Sequence, residues 1–329
     1  MASSAPDAGI HRLPVPTPFA VGRVNTYLIE DDPLTLLDTG PNSGKSLDEL
    51  ERALDARGHR VEDLERIVVS HQHMDHLGLV AILARRSGAE VCALDKLVPW
   101  MAGYSANMEA DDAFAERLMS RHGIPEDVRY ALRAVSHTFR AWGAPATATH
   151  ELHDGGTLDF ANRSFRVWHR PGHSPSDTIF HDESTGVLLG ADHLIKHISS
   201  NPLITRPLGG DGESERPHAL QIYLESLRAT QAMDLSLVLP GHGDPIDDHR
   251  TLIDERFAMH ERRAAKMHKL IADRPRTAYE LAQAMWGNVA VTQAYLTLSE
   301  VLGHTDLLMD RGEVHQVVED DGVAHFEAA

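Results

Sequence analysis

Cysteine and long apolar runs are both scarce in this sequence, and each scarcity excludes a class of protein. Cys92 is the only cysteine in 329 residues, which excludes a disulfide framework and a cluster of thiolate metal ligands. No apolar run approaches the roughly 18 residues that a membrane-spanning helix needs. The first residues also lack the charged-then-apolar profile of a signal peptide. We therefore expect a cytoplasmic protein with no membrane partner.

Positive charge is also in short supply. The chain carries 31 Lys and Arg against 49 Asp and Glu, which gives a net charge of −18. Nucleic-acid affinity depends mostly on basic side chains that neutralise phosphates, so an acidic surface disfavours nucleic acid as a partner. A local basic groove remains compatible with this balance.

Histidine, in contrast, is plentiful, and its placement matters more than its number. In the segment VSHQHMDHLG, His71, His73, Asp75 and His76 follow the apolar run Ile67–Val69. Imidazole and carboxylate groups are the usual zinc ligands where no thiolate is available. A turn of this spacing can direct two imidazoles at one ion and the next two ligands at a neighbouring ion. Two such ions need about seven ligands, so other segments must contribute.

Three further ionisable residues follow strand-like segments. His173 lies in RPGHSPSDT, Asp192 in GVLLGADH and His242 in SLVLPGHGD. In each case an apolar strand leads into a loop with Gly or Pro beside the ionisable residue, which lets the backbone turn the side chain towards a cleft. These segments are far apart along the chain, so the site would be assembled by folding.

The order of predicted elements indicates one large domain and one small one. Strands and helices alternate after residue 25, which is typical of an α/β layered fold. Residues 97–149 are predicted to form a helical insertion, either a lid over the site or a structural addition. Beyond residue 250, helices precede two short strands around the turn Asp320–Gly322, which suggests a winged-helix outline. We place a catalytic domain at 1–250 and a winged-helix-like domain at 251–329.

The ordered motifs resemble those of the metallo-β-lactamase-fold superfamily. They are NTYLI, LLDTG, SHQHMDHLG, RPGHSPSD, LLGAD and PGHGD, and they cover roughly residues 20–245. The resemblance implies an αββα sandwich with a metal cleft at one edge of two sheets. It also implies the ligands: His71, His73 and His173 for the first metal, Asp75, His76 and His242 for the second, and Asp192 bridging both with a water or hydroxide.

The residue at position 192 distinguishes among branches of the superfamily. Cysteine-containing β-lactamases place Cys where this chain has Asp192, and Cys92 is predicted to be a core residue instead. A bridging Asp resembles the glyoxalase II, lactonase, acyl-thioesterase and nuclease branches. Flavodiiron proteins carry Glu in place of His73, which argues against a di-iron redox centre.

The predicted function is that of a dinuclear zinc hydrolase. A metal-bound hydroxide would attack a small acyl substrate (a thioester, ester or lactone), with Asp75 orienting the nucleophile or accepting its proton. Two Zn²⁺ per chain are expected, with iron or manganese as substitutes. One alternative is a zinc-dependent endoribonuclease, because similar chains with a C-terminal winged helix include RNA nucleases. A minor alternative is a single-iron persulfide-type dioxygenase.

The remaining expectations concern the substrate and the C-terminal segment. His197, Ser199 and Asn201 follow Asp192 in a loop that would border the cleft, and Tyr104 of the insertion could line an apolar pocket. The alternatives are a solvated loop and ordinary packing. Residues 251–329 hold 8 basic and 13 acidic residues, so we expect this module to be structural or to form a homodimer rather than to bind DNA.

Overall fold

The computed structural model describes residues 9–209 and 216–329 and divides the chain into two compact units. The first unit comprises Met1–Asn107, Phe139–Ser200 and Met233–His249. The second comprises Met108–Thr138, Asn201–Ala232 and Arg250–Ala329. The C-terminal segment expected at 251–329 is thus one of three segments of the second unit. The expected insertion at 97–149 is divided between the two units.

The described residues of the first unit form two β-sheets, as expected for an α/β fold. The first sheet has the order β1-β2-β3-β4-β5-β6. Its strands are β1 (Ile10–Val15), β2 (Val24–Ile29), β3 (Thr35–Leu37), β4 (Arg66–Val69), β5 (Glu90–Leu94) and β6 (His150–Leu152). The second sheet has the order β11-β10-β9-β8-β7. Its strands are β7 (Thr157–Asp159), β8 (Ser164–His169), β9 (Thr178–Asp182), β10 (Val187–Ala191) and β11 (Leu237–Pro240).

One hydrophobic core joins these two sheets. Tyr27, Val68 and Cys92 from the first sheet share it with Phe165 and Phe180 from the second. Cys92 is therefore a core residue, as predicted. Because β3, β4, β5 and β6 are parallel neighbours, and β10 is parallel to β11, loops that leave the carboxyl ends of strands within each sheet emerge together.

Four α-helices lie wholly within the described part of the first unit. They are α1 (Gly44–Asp55), α2 (Met74–Leu77), α3 (Val80–Ser87) and α4 (Val98–Ala102). Helix α1 begins where the Ser43 side chain accepts a hydrogen bond from the Ser46 amide, which satisfies one of the free donors of its first turn. Helix α2 is a single turn that directly follows the loop carrying His71 and His73.

The second unit is mainly helical. The helices that contribute to it are α5 (Tyr104–Arg121), α6 (Glu126–Phe139), α7 (Ala219–Gln231), α8 (His249–Asp273), α9 (Ala278–Trp286), α10 (Val289–Thr292) and α11 (Ala294–Asp310). Strands β12 (Arg276–Thr277), β13 (Val314–Val318) and β14 (Ala324–Ala328) form a sheet of order β12-β14-β13. The hydrophobic core of the second unit includes Met267, Leu281, Leu302 and Phe326.

Local sequence explains the ends of several elements in this unit. Helix α9 starts with a capping box, in which the Thr277 hydroxyl accepts from the Glu280 amide and the Glu280 carboxylate accepts from the Thr277 amide. The turn predicted at Asp320–Gly322 connects β13 to β14.

Among the described residues, 9–209 and 216–329, we find no helix long and apolar enough to cross a bilayer.

Candidate metal centre

Three imidazoles meet where the loop after β4 approaches the loop between β8 and β9. His71 Nε2 lies 3.1 Å from His73 Nδ1. His73 Nδ1 in turn lies 3.0 Å from Nε2 of His173. His71 is buried, whereas His73 and His173 are half-buried. The structure therefore brings together the three residues expected at the first metal.

The second predicted group also comes together, and Asp192 lies between the two groups. His242 Nε2 is 3.4 Å from Asp75 Oδ2 and 3.4 Å from Asp192 Oδ2. Asp192 Oδ1 is 3.4 Å from His76 Nε2, and Asp192 Oδ2 is 3.5 Å from His173 Nε2. One carboxylate thus faces imidazoles of both groups.

Backbone geometry that ordinary residues rarely adopt places these side chains. Ala191, just before Asp192, has φ of 42°, and Asp38 has φ of 57°. Left-handed conformations in residues other than glycine are uncommon and concentrate at functional sites. Gly241 also has no room for a side chain, because an added Cβ would lie 2.2 Å from Asp192 Oδ1 and 2.9 Å from His76 Cε1. The ligand loops therefore depend on the strained backbone at Asp38 and Ala191 and on a glycine at position 241.

Hydrogen bonds behind the ligands fix their orientation. His76 Nδ1 donates to Asp38 Oδ2 at 2.7 Å, and Asp38 also accepts from the Ser70 hydroxyl and amide. His242 Nδ1 donates to the Arg23 carbonyl at 2.8 Å. Each bond leaves the opposite Nε2 lone pair directed at the carboxylates, the usual arrangement of histidines that bind metal. Sequence reasoning did not assign this role to Asp38, although the motif LLDTG contained it.

The pKa shifts keep His71 and His73 of the first group neutral and Asp192 anionic. Burial and the neighbouring His76 hold the pKa of His71 well below its usual range. Burial and His173 lower the pKa of His73 to about 3. Burial favours the neutral form of Asp192, but His242 and His76 outweigh it and hold the pKa of that carboxyl well below its usual range.

The same carboxylate affects the second group. Burial alone would lower the pKa of His242, but Asp192 and Asp75 raise it to about 10. Burial would likewise lower the pKa of His76, yet Asp192 and Asp38 raise it well above its usual range. The carboxylates therefore favour positive charge at His242 and His76. A divalent cation bound beside them would supply that charge instead of a proton.

The donor atoms fit a metal. Three buried ligand atoms make no hydrogen bond within residues 9–209 and 216–329, namely His76 Nε2, Asp192 Oδ1 and His242 Nε2. The sets His71–His73–His173, His71–His76–Asp192 and Asp75–His76–His242 each bring their ligand atoms within 4.8 Å of one another. Buried polar atoms without partners are rare in native proteins, and an ion is one explanation. Neutral imidazoles and carboxylates are also the chemistry that zinc and similar divalent ions prefer.

A pocket of about 400 Å³ adjoins the His242 loop. Its lining includes Arg12, Arg23, Lys196 and His197, together with a single acid, Asp244. The pocket borders the ligand loop because Gly243, which also lines it, follows His242 directly in the chain. His197 is thus placed beside the ligand loop.

The other three predicted substrate contacts are not among the residues that line this pocket. Ser199 is half-buried, and its hydroxyl has no hydrogen-bond partner within the described residues. Asn201 belongs to the second unit, where its amide donates to the Leu296 carbonyl at 3.1 Å. Tyr104 is buried, and its hydroxyl donates to the Arg140 carbonyl at 2.9 Å. The Tyr104 side chain therefore packs inside the protein.

Comparison with known proteins agrees with this geometry. Residues 20–242 match the model of the metallo-beta-lactamase superfamily. The chain is 33% identical over 294 residues to "Probable metallo-hydrolase YqjP" of Bacillus subtilis (strain 168), with 89% of this chain and 90% of the relative covered.

Two solved structures have the same fold. A metallo-beta-lactamase family protein from Thermus thermophilus is 26% identical with a TM-score of 0.80, and the match covers 98% of this chain and 99% of that one. A beta-lactamase domain protein from Burkholderia ambifaria is 28% identical with a TM-score of 0.82, covering 98% and 92% of the two chains.

The chain belongs to the metallo-beta-lactamase superfamily, and it is a metal-dependent hydrolase. Its His and Asp clusters provide the ligands of a divalent metal site. The sequence-based expectation of this family and of this reaction class is confirmed.

Proposed function

We propose that this protein is a dinuclear zinc hydrolase of a small acyl substrate, which is a thioester, an ester or a lactone. The observation that carries the proposal is the position of Asp192, whose two carboxylate oxygens lie 3.4–3.5 Å from imidazole nitrogens of both histidine groups. A carboxylate so placed can bind two ions at once. An Asp at this position, rather than a Cys, is similar to the glyoxalase II, lactonase, thioesterase and nuclease branches, and the pocket described below favours the first three.

The ligands divide between two ions as the resemblance implied. His71, His73 and His173 would hold one ion, Asp75, His76 and His242 the other, and Asp192 would bridge them. Iron or manganese could replace zinc, since His and Asp sites select metals partly by supply. When bound, such a pair would supply Lewis acidity and would lower the pKa of water to about 7.

Asp75 is the residue of this chain proposed for proton handling. Burial would raise the pKa of its carboxyl, but the neighbouring imidazoles of His242 and His76 lower it. Asp75 is therefore an anion at neutral pH, able to orient an attacking water and to accept its proton at a carboxylate oxygen. His242, held by the Arg23 carbonyl, fixes the position of that carboxylate.

The pocket beside His242 supports a small substrate that carries an anionic group. Its volume of about 400 Å³ suits a small molecule. Three cationic side chains line it against one acid, so a carboxylate or phosphate on the acyl substrate would be attracted there. His197 also lines this pocket and is proposed as a substrate contact. Ser199, Asn201 and Tyr104 remain predictions.

The endoribonuclease alternative has weaker support from the same pocket. Each cation has a carboxylate neighbour within the first unit: Arg12 with Asp244, Arg23 with Glu49 and Lys196 with Asp247. Binding to a polynucleotide depends on basic side chains that contact several phosphates in succession, and three cations, each beside a carboxylate, offer enough positive charge for one small anionic group only.

The second unit supports a structural role for the C-terminal segment. The order α8-β12-α9-α10-α11-β13-β14 with a three-stranded sheet is that of a winged helix, and we propose this identity for it. The acidic excess of residues 251–329 favours a structural or dimer-forming role over DNA binding.

Proton release measured by pH-stat tests the proposed reaction. Purified, zinc-loaded protein is offered acyl thioesters, simple esters and lactones, with and without a carboxylate or phosphate on the acyl group. Asp75→Ala is the inactive control, and Asp48→Ala, which changes an exposed acid on α1, is the matched control. We expect release that disappears only in Asp75→Ala and is faster for the anionic substrates.

The contrary outcomes each lead to a different function. No release from any acyl compound, by protein shown to hold its metals, would refute acyl hydrolysis. Cleavage of single-stranded RNA by the same preparation would establish the nuclease alternative. Oxygen consumption with a persulfide by iron-loaded protein would establish the single-iron alternative.

A further inference from the structure

A second histidine and carboxylate cluster lies entirely within the second unit. His260 belongs to α8, whereas Glu300 and His304 lie one turn apart on the same face of α11. All three are buried, with exposed fractions of 1%, 8% and 0%. Their ligand atoms all lie within 4.8 Å of one another, as in the three sets of the main centre. This cluster is not used by the proposed hydrolysis.

The spacing between its two imidazoles suits a shared metal ion. His260 Nδ1 lies 3.2 Å from His304 Nε2. Two nitrogens at zinc-bond lengths of 2.0–2.1 Å in a tetrahedral arrangement lie about 3.3–3.4 Å apart. The imidazole nitrogens of the main centre lie 3.0 and 3.1 Å apart. The two clusters therefore have nearly the same nitrogen spacing.

The groups behind these ligands orient them for binding. His304 Nδ1 donates to the Glu300 carbonyl at 2.6 Å, which leaves the lone pair on Nε2 directed at His260. Arg263 donates to one oxygen of the Glu300 carboxylate at 3.0 Å, which fixes that carboxylate. A backbone carbonyl behind the histidine and a hydrogen bond to the second carboxylate oxygen are the usual supports of metal ligands.

Two buried atoms of the cluster have no hydrogen-bond partner within residues 9–209 and 216–329. They are Glu300 Oε2, which faces the cluster as a candidate ligand, and His260 Nε2, which lies on the side of the ring away from the Nδ1 that approaches His304. Glu300 Oε2 lies 3.5 Å from His304 Nδ1, which already donates to the Glu300 carbonyl, so a bound ion would remove the cost of burying this oxygen. Burial, with His304 and Arg263 nearby, lowers the pKa of His260 to about 3, so this imidazole is neutral. A neutral imidazole is the form that binds a metal.

We propose that His260, Glu300 and His304 form an additional divalent-cation site that links helix α8 to helix α11. Two imidazoles and one carboxylate favour Zn²⁺ or a similar transition-metal ion over Mg²⁺ or Ca²⁺, which prefer oxygen ligands. Three protein ligands leave one tetrahedral position for water. Because all three residues are buried in the second unit, the role is structural.

Counting zinc tests this site. Full-length wild type, His304→Gln, Glu300→Gln and His122→Gln are stripped with a chelator, dialysed against Zn²⁺ alone and measured by mass spectrometry for zinc per chain. His122 is the matched control, since it is a buried histidine of the same unit outside the cluster. We expect His304→Gln and Glu300→Gln to hold one zinc fewer than wild type, and His122→Gln to hold the same number.

A cobalt titration of a variant without a functional main centre tests metal binding at the second cluster alone. Protein with His73→Ala and Asp192→Ala is titrated with Co²⁺, and its visible absorption is compared with and without His304→Gln. We expect a saturable signal that His304→Gln abolishes. Circular dichroism checks folding, and Glu300→Gln, which keeps the side-chain shape, decides the matter where His304→Gln does not fold. Equal zinc in all folded variants, or a cobalt signal unaffected by either substitution, would show that the cluster is only a hydrogen-bonded histidine pair.

Discussion

The two histidine clusters of this chain are built in different ways. The main centre takes its ligands from loops at strand ends, with left-handed residues at Asp38 and Ala191 and a glycine at 241. The second cluster takes its ligands from two helices, where a spacing of four residues aligns Glu300 with His304 without such strain. Loops let ligands from distant segments converge on a cleft, whereas helices hold a fixed pair that needs only one partner.

The supporting groups differ as well. The main centre has both a carboxylate, Asp38 behind His76, and a backbone carbonyl, that of Arg23 behind His242, whereas a backbone carbonyl lies behind His304 in the second cluster. A carboxylate makes an imidazole more basic and attracts positive charge, which suits a centre that must activate water. A backbone carbonyl fixes the ring with less effect on charge, which suits a structural ion. The comparison predicts which substitutions should impair catalysis and which should affect only metal content.

The largest expected effect comes from removing the shared carboxylate of the main centre. Asp192→Ala should lower kcat/KM for the acyl substrate by more than about 100-fold. Loss of a residue that only supports a metal ligand through a hydrogen bond costs up to about 100-fold, and loss of a ligand should cost more. The reason is that Asp192 faces imidazoles of both groups. Steady-state kinetics measure this, with exposed Asp48→Ala as the control. Retention of near wild-type activity would remove Asp192 from the centre.

The next largest loss of activity is expected when a side chain is added at Gly241. Gly241→Ala introduces a Cβ 2.2 Å from Asp192 Oδ1, which forces that carboxylate to move. A displacement of about 1 Å at an active site can cost about 100-fold in rate. Gly44→Ala is the matched control, because nothing lies within 4 Å of its added Cβ and it sits at the start of α1. Equal kinetics for the two variants would contradict the steric argument.

A smaller loss is expected from Asp38→Asn. The amide can still occupy the site but no longer attracts positive charge to His76, so zinc affinity or activity should fall about 10- to 100-fold. Zinc affinity measured by competition with a chromophoric chelator checks this. Zinc content of the second cluster should be unchanged, since Asp38 belongs to the first unit and that cluster to the second. Unchanged zinc affinity would mean that Asp38 serves only the loop that contains Ser70.

The grouping of residues in the candidate centre could largely be predicted from the sequence, because the proposed ligands occur in local patterns. Four of the seven expected ligands lie within His71–His76, and the others follow apolar strands beside Gly or Pro. The supporting role of Asp38 was harder to predict, because it depends on a left-handed backbone and a contact with His76 across 38 positions.

The second cluster had only a partial signal in the sequence. Glu300 and His304 are four apart in a predicted helix, but His260 lies 44 positions before His304, and no pattern joins them. The division into units was hard to predict for a similar reason. Helical periodicity identified the insertion at 97–149, but periodicity does not determine which core a helix packs against, and the structure assigns 108–138 to the second unit.

The smallest effect should separate the two clusters most clearly. Arg263→Gln removes the charged donor that holds one oxygen of Glu300, so that carboxylate loses part of its orientation. Zinc affinity at the second cluster should fall about tenfold, which is the smallest loss expected when a residue that supports a metal ligand is removed. Acyl hydrolysis should not change. Isothermal titration with Zn²⁺ of protein lacking the main centre measures this. Arg262→Gln is the matched control, because Arg262 is the exposed neighbour on α8. If both variants bound zinc equally, Arg263 would form an ion pair with Glu300 that does not support a metal ligand, and the second cluster would lack an outer partner equivalent to Asp38.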